Sequence, residues 1–200
     1  TMRDRHGLGD APTVVCISRL VPRKGQDTLV RIWPRVQQAV PDARLLLVGT
    51  GPIGNALEEA VTAGGLGESV TFTGEVPWAD LPAYYRTGDV FAMPCRTRLA
   101  GMDVEGLGLV FLEAQASGVP VVVGDSGGAP ETVVHGRTGL VGNGDADEEV
   151  LSAVIDLLAD EERRRTMGRA AVEHVRARWD WTVIGTQLRA AMDDAVHRRV

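Results

Sequence analysis

Six short apolar runs, each closed by a polar or glycine-rich loop, recur along this chain with helix-like sequence between most of them, and few folds accommodate that pattern. They lie at 13–18, 44–48, 70–73, 90–93, 119–123 and 139–141. Thr13-Val14-Val15-Cys16-Ile17-Ser18 has no polar alternation through its middle, the habit of a strand covered on both faces of a parallel sheet. Between the runs, Leu29, Val30, Trp33, Val36 and Val40 fall on one face of a predicted helix at 26–40, which Pro41-Asp42 ends. Further helices are predicted from the glycine loop at 49–54 to residue 63, over 78–86, and in an apolar stretch ending near Ser117-Gly118. From Asp147 onward the chain reads as three helices, separated near Asp160 and Trp179-Asp180. Strand alternating with helix at least five times requires right-handed crossovers, hence an α/β fold with an open parallel sheet and helices on both faces. Ligands of such sheets bind beyond the carboxyl ends of the strands, where every glycine-rich loop of this chain falls.

With 200 residues, 44% of them hydrophobic, the chain can bury one sizeable core, so residues 1–200 are expected to form a single domain. A net charge of -6 argues against a nucleic-acid partner, which would need a basic face. Cys16 and Cys95 sit in apolar surroundings, and no Cys/His spacing resembles a metal site. No apolar run approaches the roughly 18 residues of a membrane span. The polar lead-in that runs directly into a strand would suit a piece of a longer protein whose N-terminal partner domain is absent.

Chemistry concentrates in the stretch Gly101-Met102-Asp103-Val104-Glu105-Gly106-Leu107-Gly108-Leu109-Val110-Phe111-Leu112-Glu113-Ala114, which reads as a loop turning into a helix. The N–H groups of Gly108, Leu109 and Val110 would begin that helix, and its positive end suits a diphosphate. Glu113, one turn in, suits the diol of a ribose, and Glu105 would hang over whatever the diphosphate carries. The plainer alternative is a solvated glutamate and a glycine hinge. Arg19 and Lys24 share the loop after the first strand, where two cations would offset charge on a leaving diphosphate, or would be ordinary surface charge. Arg23 beside them reads as solvated.

Gly49-Thr50-Gly51-Pro52-Ile53-Gly54 has the G-x-G-x-x-G form, with Glu75 near the end of the next strand, but it follows the second strand rather than the first. Close backbone approach to a nucleotide held mainly by other loops is the preferred reading, with Gly49 and Gly51 making that approach. The backbone at Glu75 and Val76 would read a base edge, or simply turn the chain. The glycine-rich loop at 124–131 is expected to be structural, and Asp145-Ala146-Asp147 to cap a helix rather than hold a metal. None of the four histidines has partners that make it a catalytic candidate.

Together, Ser18-Arg19-Leu20 with Lys24-Gly25, Val48-Gly49-Thr50-Gly51-Pro52, Val70-Thr71-Phe72-Thr73-Gly74 and the spaced pair Glu105/Glu113 resemble the C-terminal, Rossmann-like half of a retaining glycosyltransferase of the GT-B fold, family 4. The stretch from Met93-Pro94-Cys95 to Gly108 is similar to actinobacterial GDP-mannose-dependent phosphatidylinositol mannosyltransferases. The resemblance implies a hexosyltransferase passing mannose from GDP-mannose to a phosphatidylinositol mannoside-type or other glycolipid acceptor. It also implies no metal and no further cofactor. On it, Arg19 and Lys24 bind the diphosphate, Glu105 the transferred hexose, Glu113 the ribose, the backbone at Glu75 and Val76 the base, and the amides of Gly108 to Val110 the distal phosphate.

Acceptor binding would belong to the missing N-terminal domain, so this chain alone is expected to bind donor without transferring sugar, and a helix at 181–200 would cross back toward that domain. The full enzyme would be cytoplasmic, touching the inner face of the plasma membrane only peripherally. Two other readings share these residues: half of a sugar-nucleotide epimerase, and a dinucleotide-binding module built on residues 49–54.

Overall fold

The computed structural model describes residues 1–197. A short helix, α1 (Met2–Arg5), precedes the first strand where sequence reasoning expects only a polar lead-in; Thr1 closes a capping box with Asp4 at its start. Six strands follow: β1 (Thr13–Ile17), β2 (Arg44–Val48), β3 (Val70–Gly74), β4 (Val90–Met93), β5 (Val121–Gly124) and β6 (Gly139–Gly142). They form one sheet, every pairing parallel, in the order β3-β2-β1-β4-β5-β6. β1, β4 and β5 are buried along their whole length, which explains why their sequences run apolar rather than alternate.

Two of the expected boundaries shift, each for a local reason. The fifth strand starts at Val121 rather than Val119, because Pro120 has no N–H to give a ladder and contributes only its carbonyl, which accepts from the Phe91 N–H. The stretch expected to be helical over 78–86 divides into a 3-10 turn, Trp78–Asp80, and α4 (Leu81–Tyr85).

α2 (Gln26–Ala39) and α3 (Gly54–Ala63) follow β1 and β2, whereas α5 (Leu109–Ala116) follows β4. The chain steps one way along the sheet from β1 to β3 and the other way from β4 to β6. Right-handed crossovers therefore put α2 and α3 on one face and α5 on the other. α2 buries Leu29, Val30, Ile32, Trp33 and Val36, and packs on α3 and on α6 (Asp147–Ala159); α5 packs on α4 and on α7 (Glu161–Arg178). α8 (Trp181–His197) buries none of its residues and leaves Trp181, Leu188, Met192 and Val196 exposed. Residues 198–200 of the helix expected at 181–200 lie outside the described residues.

The strand order reverses between β1 and β4. Loops leaving the carboxyl ends of those two strands diverge to opposite faces and leave a crevice between them, which fixes where a ligand would sit.

Candidate nucleotide-sugar site

The β1 loop is held rigid before any ligand is considered. Gln26, fully buried at the start of α2, reaches back so that its Nε2 donates to Ser18 Oγ (2.7 Å) and to the Arg19 carbonyl (3.1 Å). Pro22–Lys24 forms a 3-10 turn, and the turn carries Lys24 inward until it is only 9% exposed. An ammonium this buried needs a partner. Its partner is Glu105, 6% exposed, from the loop beyond β4: Lys24 Nζ lies 2.5 Å from Glu105 Oε2. The pair bridges the crevice at the point where the strand order reverses.

Glu105 is fixed from its other side by the loop after β5. The Glu105 N–H donates to Ser126 Oγ (3.1 Å), the Ser126 hydroxyl meets that of Thr97 (3.1 Å), and the Gly128 N–H donates to the carbonyls of Glu105 (3.2 Å) and Gly106 (3.0 Å). The loop at 124–131 thus has the structural use expected of it. The N-terminus of α5 is next to the acid, since a Cβ on Gly108 would stand 3.6 Å from Glu105 Cγ. No side chain caps α5, and none of the described turn, loop or cap hydrogen bonds uses the amides of Gly108, Leu109 or Val110. Three unengaged donors and a helix dipole therefore open beside a buried ammonium.

Arg23, read from sequence as solvated, is instead half-buried. Its Nη1 is 3.4 Å from Asp103 Oδ1 and its Nε 3.9 Å from Glu105 Oε2. Asp103 also meets Arg98 (3.4 Å), with which it exchanges backbone hydrogen bonds that close the exposed tip of the loop. Arg23 Nε and Glu105 Oε2 are both buried without a hydrogen bond of good geometry, despite the nearness of Lys24. Two cations converge on one carboxylate oxygen and their hydrogen-bonding capacity is not saturated, an arrangement suited to exchanging that carboxylate for a stronger anion.

The other expected residues are distributed around this corner. Arg19 is exposed, and among the described residues its guanidinium has no ion-pair or hydrogen-bond partner. Glu113 lies on α5, half-buried, and its Oε2 accepts from the Tyr85 hydroxyl at 2.5 Å. Glu75 is exposed and Val76 half-buried after β3, in a loop tied to the one after β2 by the Gly49 N–H donating to the Gly74 carbonyl (2.9 Å).

Gly49 and Gly51 stand against the backbone of the β1 loop. A Cβ on Gly49 would meet the Ser18 carbonyl oxygen at 2.3 Å, and one on Gly51 the Leu20 carbonyl oxygen at 2.2 Å. The close approach these glycines permit in the chain itself is to the β1 loop, and they shape the crevice by letting two loops stack.

Asp145-Ala146-Asp147 behaves differently from a cap as well. The N-cap of α6 is Ala146, with no side-chain cap bond, while Asp147 in the first turn accepts from Arg31 Nε and Nη2, both at 2.7 Å. That bond, ahead of burial acting the other way, holds the Asp147 carboxyl below the usual carboxylate range. Burial favours the protonated thiol at both cysteines, pushing Cys16 up to about 12 and Cys95 up to about 11.

Sequence reasoning missed Arg23, Asp103, Ser126 and Tyr85. Arg23 and Asp103 were in view, since both lie inside the singled-out loops, but nothing in one sequence shows that they meet.

The chain is similar to known proteins. The family model described as glycosyl transferases group 1 matches residues 1–174. A GDP-mannose-dependent alpha-(1-6)-phosphatidylinositol monomannoside mannosyltransferase from Mycobacterium tuberculosis is 54% identical over 187 residues, covering 94% of this chain and 49% of that protein. A GDP-mannose-dependent monoacylated alpha-(1-6)-phosphatidylinositol monomannoside mannosyltransferase from Corynebacterium glutamicum is 47% identical, covering 93% of this chain and 48% of that protein. Among solved structures, Anabaena HepE in complex with UDP superposes with a TM-score of 0.84 at 27% identity, covering 96% of this chain and 51% of that one. The chain spans about half the length of the curated relatives it matches.

Proposed function

The chain belongs to the group 1 glycosyl transferases, and from that premise we propose that it is the donor-binding domain of a retaining mannosyltransferase using GDP-mannose and a phosphatidylinositol mannoside-type acceptor. The observation that carries the reading is the buried Lys24–Glu105 pair, which bridges the crevice beside the uncapped start of α5. The donor's diphosphate takes the place of Glu105 on Lys24, with Arg19 and the amides of Gly108 to Val110 completing its shell. Glu105, released, turns to the hydroxyls of the transferred hexose. Glu113 takes the ribose, and the backbone at Glu75 and Val76 meets the base.

In the transfer step the bond between mannosyl C1 and the β-phosphate oxygen breaks while the acceptor hydroxyl oxygen bonds to C1 from the same face. The acceptor's proton passes to the departing phosphate, and the products are GDP and the mannosylated lipid. Lys24 and Arg19 offset the charge that grows on the diphosphate as it leaves. The acceptor is held by an N-terminal domain of the full protein, so this chain alone binds donor and transfers nothing. Peripheral attachment at the inner face of the plasma membrane fits a lipid acceptor. No helix among the described residues is long and apolar enough to cross a membrane.

Binding requires no metal ion. In support, Asp147 of the D-x-D sequence is committed to Arg31. Calorimetry with GDP, UDP and ADP tests both claims. GDP is expected to bind at least about tenfold more tightly than the other two, the worth of one well-made base contact, and an excess of EDTA is expected to leave its affinity unchanged. Failure of all three nucleotides to bind at millimolar concentration rejects the site, and loss of GDP binding in EDTA rejects the metal-free reading.

A further inference from the structure

Tyr85 is the one phenol that reaches an acid of the proposed site. It ends α4, is 2% exposed, and donates through its hydroxyl to Glu113 Oε2 at 2.5 Å. Its ring packs tilted against Phe91 of β4 (centroids 5.8 Å apart), and Phe91 packs edge-on against Phe111 of α5 (5.7 Å, 89°). Phe111 in turn fills the space where a Cβ on Gly108 would fall. A continuous line of aromatic contacts therefore runs from Tyr85 by way of Phe91 to the start of α5, while the Tyr85 hydroxyl reaches the same helix one turn further on.

Glu113 borders a cavity of about 370 Å³, walled also by Trp78, Leu81, Pro82, Arg86 and Ser117. Oε2 is occupied by Tyr85, and Oε1 has no hydrogen bond among the described residues. A glutamate on a helix surface samples several rotamers, and each must be given up when it grips a ligand. Here one oxygen is already held by a buried, packed phenol.

We propose that Tyr85 is a positioning residue for donor recognition, holding the Glu113 carboxylate in the orientation in which it receives the vicinal ribose hydroxyls of a nucleoside diphosphate. The inference rests on Glu113 taking the ribose. Burial, and after it the hydrogen bond and charge of Glu113, push the Tyr85 phenol well above its ordinary range, so it stays protonated and donates at any pH at which the protein is used.

The test compares GDP with 2′,3′-dideoxy-GDP by calorimetry in four forms of the chain: unmodified, Tyr85→Phe, Glu113→Ala and the double variant. The unmodified chain should prefer GDP by about thirtyfold, as expected for hydrogen bonds to a charged group. Tyr85→Phe keeps the ring and should weaken GDP by about tenfold while leaving the dideoxy analogue unchanged. A purely structural role for the hydroxyl would weaken both ligands alike and would overturn the proposal. The double variant should bind GDP no more weakly than Glu113→Ala, because Tyr85 acts only through that acid; additive losses also overturn it. If the unmodified chain does not distinguish the two ligands, the placement of ribose on Glu113 fails and this inference fails with it. If it does, and Tyr85→Phe distinguishes them equally well, only the inference about Tyr85 fails.

Discussion

Exchange of Lys24 for alanine is expected to lower folding stability by about 3 kcal/mol, because it leaves a buried carboxylate without its charge partner. The expectation follows from burial rather than from proximity. Both members of the pair are less than one-tenth exposed, and the nearest other cation, Arg23, stands 3.9 Å from the same oxygen with a poorly aimed Nε. A surface ion pair of the same length, such as Arg165 with Glu161 at 2.6 Å, is mostly solvated and is worth a small fraction of this. GDP affinity should fall together with stability, by about a hundredfold, the contribution of a strong charge-assisted bond to a phosphate in a water-poor corner.

A second variant separates the two effects. Lys24→Met/Glu105→Leu removes both charges and keeps the volume, so its stability should return to within about 1 kcal/mol of the parent protein, while GDP binding stays lost. Urea denaturation and calorimetry on the three proteins check this. Stability unchanged in Lys24→Ala would mean that the pair is solvated, and full recovery of GDP binding in the double variant would mean that the ammonium is not the phosphate ligand.

Replacing Gly127 with alanine should cost about 3 kcal/mol or more, the sum of a left-handed backbone that an L side chain resists and a direct collision. Gly127 has φ +55°, and a Cβ there would lie 1.8 Å from the Glu105 carbonyl oxygen. Neither backbone yields readily: Ser126 accepts from the Glu105 N–H, and the Gly128 N–H donates to the same carbonyl. Any relaxation displaces the loop that carries Glu105, so donor affinity should drop as well, by about tenfold, the worth of one well-made contact. Gly136 is the control, with φ +77° and nothing within 4 Å of a would-be Cβ. Gly136→Ala carries the backbone strain alone, about 1 kcal/mol, and should leave GDP binding unaltered. Equal denaturation midpoints for the two variants would show that contact with the Glu105 loop contributes nothing.

These expectations indicate which parts of the molecule were legible in its sequence. The sheet was, because a strand buried on both faces carries mainly apolar side chains, and runs such as Val14-Val15-Cys16-Ile17 and Val121-Val122-Val123 show it directly. The ends of elements were less so. Pro120 delays the fifth strand, and Trp78-Ala79-Asp80 takes a 3-10 turn where helical sequence was expected.

Of the site, the loops and the candidate ligands could be read, since glycine spacing and charge are local properties. The pairings could not. Arg23 meets Asp103 across 80 residues and Tyr85 meets Glu113 across 28, and a single chain of letters carries no record of which distant groups share a dielectric. Hence Lys24 reads from sequence as either a diphosphate-binding cation or ordinary surface charge, and its place as the buried counter-ion of Glu105 is visible only in the structure. The glycines at 49 and 51 show the same limit: a close approach is visible in sequence, but a partner such as the carbonyls of Ser18 and Leu20 is not.

The most direct test of the account is a crystal structure of the chain with GDP-mannose. It should show diphosphate oxygens within hydrogen-bond distance of Lys24 Nζ and of the first amides of α5, the ribose hydroxyls on Glu113, and the Glu105 carboxylate turned from Lys24 to the mannose. Nucleotide bound elsewhere, with Lys24 and Glu105 still paired, would contradict it.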